Sequence, residues 1–191
     1  MIIGVTGSSG AGKSTVCEIL NKYYGAKTIS ADNIARALSK KGTNYLNEIV
    51  KEFGTEILLE TGELDRKKLA NIIYCNNEKR ELLNKCTFKY IIEEVKKEIE
   101  ASKEKIIAID APLLFEAKLD EICDVTVAVI CEDRNIQIQR IIKRDKIDLQ
   151  HALSRLNAQR ENEFYISKSD YVLINNNSLG EQIKKLIFEI E

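Results

Sequence analysis

The sequence predicts an α/β protein built on a five-stranded parallel sheet. Apolar segments of strand length alternate with long helical patterns, as expected when crossover helices join parallel strands. A glycine-rich stretch follows the first apolar segment directly and precedes a helical pattern. The candidate strands are residues 2–6, 27–30, 105–110, 125–131 and 171–174.

Composition indicates one globular domain without a general affinity for polyanions. The chain has 191 residues, of which 44% are hydrophobic and 31% charged. Its 29 basic and 30 acidic side chains nearly cancel, so no overall field attracts nucleic acid or an anionic membrane. No segment has the roughly 20 apolar residues that a membrane-spanning helix needs. We expect a cytoplasmic protein, monomeric or weakly homo-oligomeric, with no nucleic-acid or membrane partner.

The cysteine and histidine residues indicate no metal site. Five cysteines occur, an odd number, and none forms a C-x-x-C pair. We expect reduced thiols that act as small apolar side chains. The single histidine, His151, lies in a charged helical pattern and is predicted to be a surface residue.

Residues 7–14, GSSGAGKS, match the phosphate-binding pattern G-x-x-x-x-G-K-[ST] between a strand and a helix. Glycines allow the backbone to turn with positive φ, and the helix start adds a positive dipole end. Successive backbone N–H groups can then surround a phosphate. The residues predicted to bind a nucleotide polyphosphate here are Gly10, Ala11, Gly12, Lys13, Ser14 and Thr15.

Side chains in and near this loop predict how ATP and Mg²⁺ bind. Lys13 is expected to bridge the β- and γ-phosphates, and the Ser14 hydroxyl to ligate Mg²⁺. Asp110 ends the third strand, at the sheet edge where the loop lies, and is the second candidate magnesium ligand. The alternative for Asp110 is an ordinary turn residue before Ala111 and Pro112.

A second carboxylate, Asp32, follows the second strand at the same sheet edge. It can act as a general base toward an incoming hydroxyl group. Aspartate is also a common helix N-cap, and a helical pattern begins here. The two roles are compatible, and both are retained at this point.

Residues 133–169 concentrate basic side chains in an otherwise neutral chain. On a helix predicted from 134 to about 145, Arg140 and Arg144 are four positions apart and share a face. Such a pair can bind the transferred phosphoryl group, so this segment is interpreted as an arginine lid. The alternative is an ordinary solvated charged helix.

Residues 33–104 have an almost entirely helical pattern, which indicates a helical lobe inserted into the sheet domain. A guanine-binding Asn-Lys-x-Asp is missing, since the sequence at 84–87 is NKCT. A motor or assembly ATPase is usually larger. The remaining class is a small-molecule kinase with a three-layer P-loop fold like that of nucleoside monophosphate kinases. An aspartate at Asp32 favours an alcohol acceptor, because a phosphate acceptor needs no base.

The whole chain resembles the dephospho-CoA kinase family. The resemblance rests on seven segments in order: 4–15 (GVTGSSGAGKST), 30–36 (SADNIAR), 62–70 (GELDRKKLA), 111–116 (APLLFE), 137–145 (QIQRIIKRD), 156–159 (LNAQ) and 169–176 (SDYVLINN). It implies transfer of the γ-phosphate of ATP to the ribose 3′-hydroxyl of dephospho-CoA. It also implies that Asp32 is the base, that Arg140 and Arg144 cover the phosphates, and that Asn175 borders the donor adenine.

Two departures from the family pattern concern the acceptor side. Ser30 stands where a second aspartate is usual, and Phe88-Lys89 replace a common His-Pro pair. The second change affects the inserted lobe, which the resemblance assigns to the acceptor. A nucleoside or nucleoside monophosphate kinase of the same fold is therefore the alternative.

Overall fold

The computed structural model describes residues 1–74 and 76–190, so Cys75, predicted to be a reduced thiol, lies outside the described residues. Five parallel strands form one sheet in the order β2-β3-β1-β4-β5. They are β1 (Ile2–Thr6), β2 (Lys27–Ser30), β3 (Ile107–Asp110), β4 (Val125–Ile130) and β5 (Tyr171–Ile174). The predicted α/β class with a five-stranded parallel sheet is confirmed.

Helices connect the strands, as the sequence periodicity predicts. In the described part of the chain they are α1 (Lys13–Tyr24), α2 (Ala31–Leu38), α3 (Asn44–Phe53), α4 (Arg66–Tyr74), α5 (Asn77–Ala101), α6 (Arg134–Asp145), α7 (Leu149–Asn157), α8 (Asn162–Lys168) and α9 (Leu179–Ile190). The end of α1 at Gly25 and the start of α3 after Thr43 both follow from capping residues.

The chain divides into two compact units. One contains Met1–Ser30 and the described residues from Ala101 onward, and the other contains Ala31–Glu100. The first unit holds the sheet, and the described residues of the second form helices, turns and one isolated β-bridge. The functions predicted for the segments 33–104 and 133–169 remain predictions.

The two faces of β4 pack against different helices. Val127 and Val129 belong to a core shared with α1 and α9. Ala128 and Ile130 point to the opposite face and pack against Tyr165 of α8. Because successive strand residues alternate in direction, one strand of small and β-branched residues supports helices on both faces. This gives the first unit its three layers.

In the second unit, α3 and α5 share an aromatic contact. The rings of Tyr45 and Tyr90 pack edge to face with centroids 6.0 Å apart. The Tyr90 hydroxyl donates to Glu48 at 2.8 Å, and Lys89 pairs with the same carboxylate at 3.2 Å. Lys89 therefore joins α5 to α3.

Asp170 links β4 to the residue that precedes β5. Its carboxylate accepts from the Thr126 hydroxyl at 2.7 Å and from the Thr126 backbone N–H at 2.8 Å. These bonds, the hydroxyl first, lower the pKa of Asp170. Replacing Asp170 with alanine leaves both donors unpaired, and Thr126 is buried.

We expect Asp170→Ala to lower the free energy of unfolding by roughly 1–2 kcal/mol, measured by urea denaturation. The pKa of Asp170 in the folded state lies below its unfolded value of about 3.9. The charge-dependent part of the stability loss in Asp170→Ala is therefore fully present above about pH 3.9. It declines as the pH falls further, through the folded pKa. A loss that grew on acidification would contradict this account.

Candidate active site

The loop between β1 and α1 has the backbone of a phosphate-binding loop. Gly10 and Gly12 adopt φ of +76° and +112°, in the left-handed region that favours glycine. A Cβ atom on Gly12 would overlap the side-chain amide of Asn175, and one on Gly10 would lie 2.8 Å from the Gln137 carbonyl oxygen. Conformation and space therefore both require glycine at these two positions.

The start of α1 is open to an anion. Gly12 is its N-cap residue, and among the described residues no side chain caps the helix. The first N–H groups of a helix lack intrahelical partners and carry the positive end of its dipole. A phosphate group is a suitable acceptor for them.

Lys13 lies across the loop. Its side chain is buried, and Nζ donates to the carbonyl oxygens of Gly7 at 2.8 Å and Ser8 at 3.0 Å. The ammonium group is thus held beside the loop backbone, where the phosphates of a nucleotide are predicted to bind. Neutral carbonyl oxygens are weaker partners for an ammonium ion than charged phosphate oxygens, so a bound triphosphate can compete for it.

Ser14 and Asp110 meet at the end of β3. The Ser14 hydroxyl donates to Oδ2 of Asp110 at 3.2 Å. The strand register pairs Asp110 with Val5 of β1 and with Ser30 of β2, which places the carboxylate near the beginning of the loop. The two side chains that the sequence suggests as magnesium ligands therefore have their oxygen atoms close together. Thr15, the next residue, is exposed in the first turn of α1.

Both predicted lid arginines contact the loop. Arg140 Nη1 lies 3.3 Å from the Gly10 carbonyl oxygen, and Arg144 Nη2 donates to the Ser9 hydroxyl at 3.0 Å. The spacing of four residues on α6 thus places two guanidinium groups on adjacent loop residues. In this arrangement they can bind a polyphosphate that follows the loop.

Asp145 orients Arg144. Its carboxylate accepts from Arg144 Nε at 2.8 Å and Nη2 at 2.9 Å, and it also pairs with Arg155 of α7 at 2.6 Å. The bidentate contact restricts the rotation of the Arg144 guanidinium group. An acidic residue in a basic segment carries no specific signal, so a role for Asp145 could not be predicted from the sequence.

Asn175 follows β5 and borders a cleft of about 640 Å³. Its Nδ2 donates to the Ala11 carbonyl oxygen at 2.7 Å, so this side chain joins the loop after β5 to the glycine loop. The cleft is also lined by Ile136 and Arg140 of α6. A cleft of this size with apolar and amide walls can hold a purine base.

Asp32 lies in the other compact unit. It is exposed and occupies the first turn of α2, which begins one residue earlier at Ala31. Its carboxylate is thus within the helix rather than at the N-cap position, where its charge still favours the helix dipole. Its assignment as a base remains a prediction.

Two glutamines with no role predicted from the sequence also contact the loop. Gln137 Nε2 donates to the Ser8 hydroxyl at 2.6 Å and to the Ser9 carbonyl oxygen at 2.7 Å. Gln159 Oε1 accepts from the Ser9 backbone N–H at 2.7 Å. The available signal for Gln137 was its helical spacing from Arg140 and Arg144, which places all three on one face of α6.

Two cysteines of the first unit, Cys17 and Cys123, are not suited to act as nucleophiles. Burial, and secondarily the negative charge of Asp110, raise the pKa of Cys17 in α1 far above its ordinary value. Burial also raises the pKa of Cys123 to about 12. Both thiols are therefore neutral near pH 7. His151 is exposed, as predicted, and its Nδ1 lies 2.7 Å from Asp148.

These features define the class of protein. A glycine loop between β1 and α1, a sheet with β3 and β4 on either side of β1, and arginines from the helix after β4 together make a P-loop kinase. Among the described residues, none of the helices is both long and apolar enough to span a membrane.

Comparison with known proteins identifies the family. The family model described as dephospho-CoA kinase matches residues 1–181. A dephospho-CoA kinase from Fusobacterium nucleatum is 41% identical, with 97% of this chain and 95% of that protein covered. The chain therefore belongs to the dephospho-CoA kinase family, whose members are ATP-dependent kinases.

Solved structures agree with this assignment. A crystal structure of a Thermus thermophilus protein aligns with a TM-score of 0.81 and 25% identity, covering 100% of this chain and 98% of that one. A dephospho-CoA kinase from Campylobacter jejuni aligns with a TM-score of 0.65 and 30% identity, covering 99% and 96%.

Proposed function

We propose that this protein transfers the γ-phosphate of ATP to the ribose 3′-hydroxyl of dephospho-CoA, giving coenzyme A and ADP. The observation that carries the proposal is the family match over residues 1–181, in a chain whose phosphate-binding loop is complete. The proposal places the protein among cytoplasmic enzymes that act on small molecules, as a monomer or a weak homo-oligomer.

The donor site is assigned to the glycine loop and the cleft beside Asn175. The adenine base is placed in the cleft between α6 and the loop after β5. The phosphates then follow residues 10–15 toward Lys13, with Arg140 and Arg144 beside the loop at Gly10 and Ser9. Phosphoryl transfer depends mainly on positioning and on neutralising negative charge, and these three cations supply both.

The residues at the end of β3 fit a magnesium ion. A hydroxyl and a carboxylate oxygen lie within 3.2 Å of each other, and oxygen donors are those that Mg²⁺ prefers. Magnesium at such sites is usually held by one or two side chains together with substrate phosphates, and two side chains are present here. Ser14 and Asp110 would hold the ion, which when bound neutralises charge on the β- and γ-phosphates.

Replacing Asp110 with asparagine is expected to raise the magnesium concentration that half-saturates activity by about tenfold, because a neutral amide attracts the cation less than a carboxylate. The measurement is initial rate against magnesium concentration at fixed ATP. The matched control is Glu18→Gln, which removes an exposed carboxylate one turn after Ser14 in α1. It should leave the half-saturating magnesium concentration unchanged. An unaltered value in Asp110→Asn would exclude Asp110 from the metal site.

The acceptor side is assigned to Asp32 and the helical unit 31–100. An alcohol loses its proton on attack, and a carboxylate in hydrogen-bond range can accept or orient it. The Phe88-Lys89 departure does not remove this group. Lys89 is engaged with Glu48, so the change affects the packing of α5 on α3.

An acceptor panel tests the function. Coupled ADP release is measured with dephospho-CoA, adenosine, AMP, uridine and pantetheine at equal concentration. We expect dephospho-CoA to support a kcat/KM at least about a hundredfold above every other acceptor, since only it offers the complete adenylate and diphosphate for binding. Activity confined to AMP or a nucleoside would instead assign the protein to nucleotide or nucleoside kinases.

A further inference from the structure

Gln137 is a buried amide on α6, a helix on which most other polar side chains are exposed. Only 6% of its surface is accessible, and its Nε2 makes both short contacts with the loop, to the Ser8 hydroxyl and the Ser9 carbonyl oxygen. Gln139, two residues along the same helix, is exposed. Burying an amide group costs free energy unless the group is hydrogen-bonded, and these two bonds offset that cost.

The loop passes directly against α6 at this point. A Cβ atom on Gly10 would lie 2.8 Å from the Gln137 carbonyl oxygen, 3.0 Å from its Cγ and 3.1 Å from Ile141. Such closeness allows a glutamine side chain to reach the peptide group between Ser9 and Gly10. Because protein interiors are close-packed, a change at Gln137 must be felt by this peptide.

The orientation of the Ser9–Gly10 peptide determines where the Gly10 N–H points. In a planar trans peptide the carbonyl of one residue and the N–H of the next point in opposite directions. The bond from Gln137 to the Ser9 carbonyl oxygen therefore turns the Gly10 N–H away from Gln137. Among the described residues, no acceptor pairs with the Gly10 N–H.

We propose that Gln137 is a positioning residue that directs the Gly10 N–H toward the triphosphate of the donor. Gln137 does not touch the nucleotide and acts only through the Ser9–Gly10 peptide. The inference rests on the proposed donor, a nucleoside triphosphate, and is independent of which acceptor the enzyme uses.

Inorganic triphosphate and adenosine are the two probes, because they separate the phosphate loop from the base cleft. In Gln137→Met, which keeps the side-chain length and loses both donors, we expect triphosphate affinity to fall at least about tenfold, as for a lost charge-assisted bond. Adenosine affinity is expected to change less than twofold. Gln139→Met, the matched control, is expected to change neither affinity, measured by calorimetry.

Amide NMR gives a readout that general stability does not supply. The protein has nine glycines, so a glycine-selective ¹⁵N spectrum is simple to assign. On addition of triphosphate the Gly10 amide resonance is expected to move downfield in the parent protein and in Gln139→Met, and to move much less in Gln137→Met. If Gln137→Met does not fold, Gln137→Asn keeps a buried amide one methylene too short and is expected to show the same loss.

Three results would overturn the proposal. They are unchanged triphosphate affinity in the folded Gln137 variant, an undiminished Gly10 shift in that variant, or an equal loss of triphosphate and adenosine affinity. All of these measurements omit the acceptor. Failure of the enzyme to phosphorylate dephospho-CoA would therefore refute the proposed function without affecting this test.

Discussion

Lys13→Ala is expected to lower kcat/KM for ATP by roughly two to three orders of magnitude, the loss typical of removing one group that stabilises charge in the transition state. The reason is local, because the ammonium group is buried against the carbonyl oxygens of Gly7 and Ser8 within the loop itself. No other lysine of α1 lies against this loop: Lys22 is exposed and stacks over Tyr23 instead. Steady-state rates at varied ATP measure the effect.

Lys22→Ala is the matched control for Lys13→Ala. It removes the same charge from the same helix, and its kcat/KM should stay within about twofold of the parent protein. Adenosine binding should be retained in both variants, since the cleft beside Asn175 is lined by other residues. A normal kcat/KM in Lys13→Ala would remove the basis for assigning phosphate binding to this loop.

The second large effect is expected from Asp32→Asn. Turnover should fall by at least about two orders of magnitude while KM for ATP changes little, because general-base catalysis contributes about this much and the substitution keeps size and shape. The measurement is kcat and KM for ATP with dephospho-CoA saturating. Glu60→Gln, an exposed carboxylate in the same unit, is the control and should be silent.

Stability separates the two roles of Asp32. If the carboxylate serves only the dipole of α2, Asp32→Asn will lower the melting temperature slightly and leave kcat unchanged. A variant with full turnover and reduced stability would therefore contradict the catalytic assignment. The result that we expect is low turnover, with at most the small decrease in melting temperature that loss of the helix-dipole interaction causes.

The sheet and its main helices were predictable because each signal is local. The strands β1, β2 and β5 coincide with their apolar segments, and Thr43 caps α3 through its own side chain, which accepts from the Leu46 N–H. The candidate strand 105–110 is shorter in the structure, because strand pairing begins at Ile107. Apolar periodicity indicates burial, and Ile106 is buried without belonging to the paired strand.

Part of the candidate site was predictable for the same reason. The G-x-x-x-x-G-K-S motif indicates Gly12, Lys13 and Ser14 directly. Asp110 was predicted because it is a carboxylate at the end of a neighbouring strand. Helical spacing related Arg140 to Arg144. These inferences need only the chain near each residue and the rule that parallel strands share a carboxyl edge.

The residues that sequence reasoning missed are defined by contacts across long separations. Gln137 bonds to loop residues 128 and 129 positions earlier in the chain, and Gln159 to one 150 positions earlier. Glutamine is usually exposed, so residue type alone does not distinguish Gln137 from its exposed neighbour Gln139.

The central claim is the destination of the phosphoryl group, and isotopic labelling follows it directly. ATP carrying ¹⁸O in its γ-phosphate is incubated with the protein, magnesium and dephospho-CoA, and the products are analysed by mass spectrometry and ³¹P NMR. The account predicts one labelled phosphate on the ribose 3′-oxygen for each ADP formed, and none when the 3′-hydroxyl is replaced by hydrogen. Label recovered only as inorganic phosphate, or on any other oxygen of the acceptor, would contradict it.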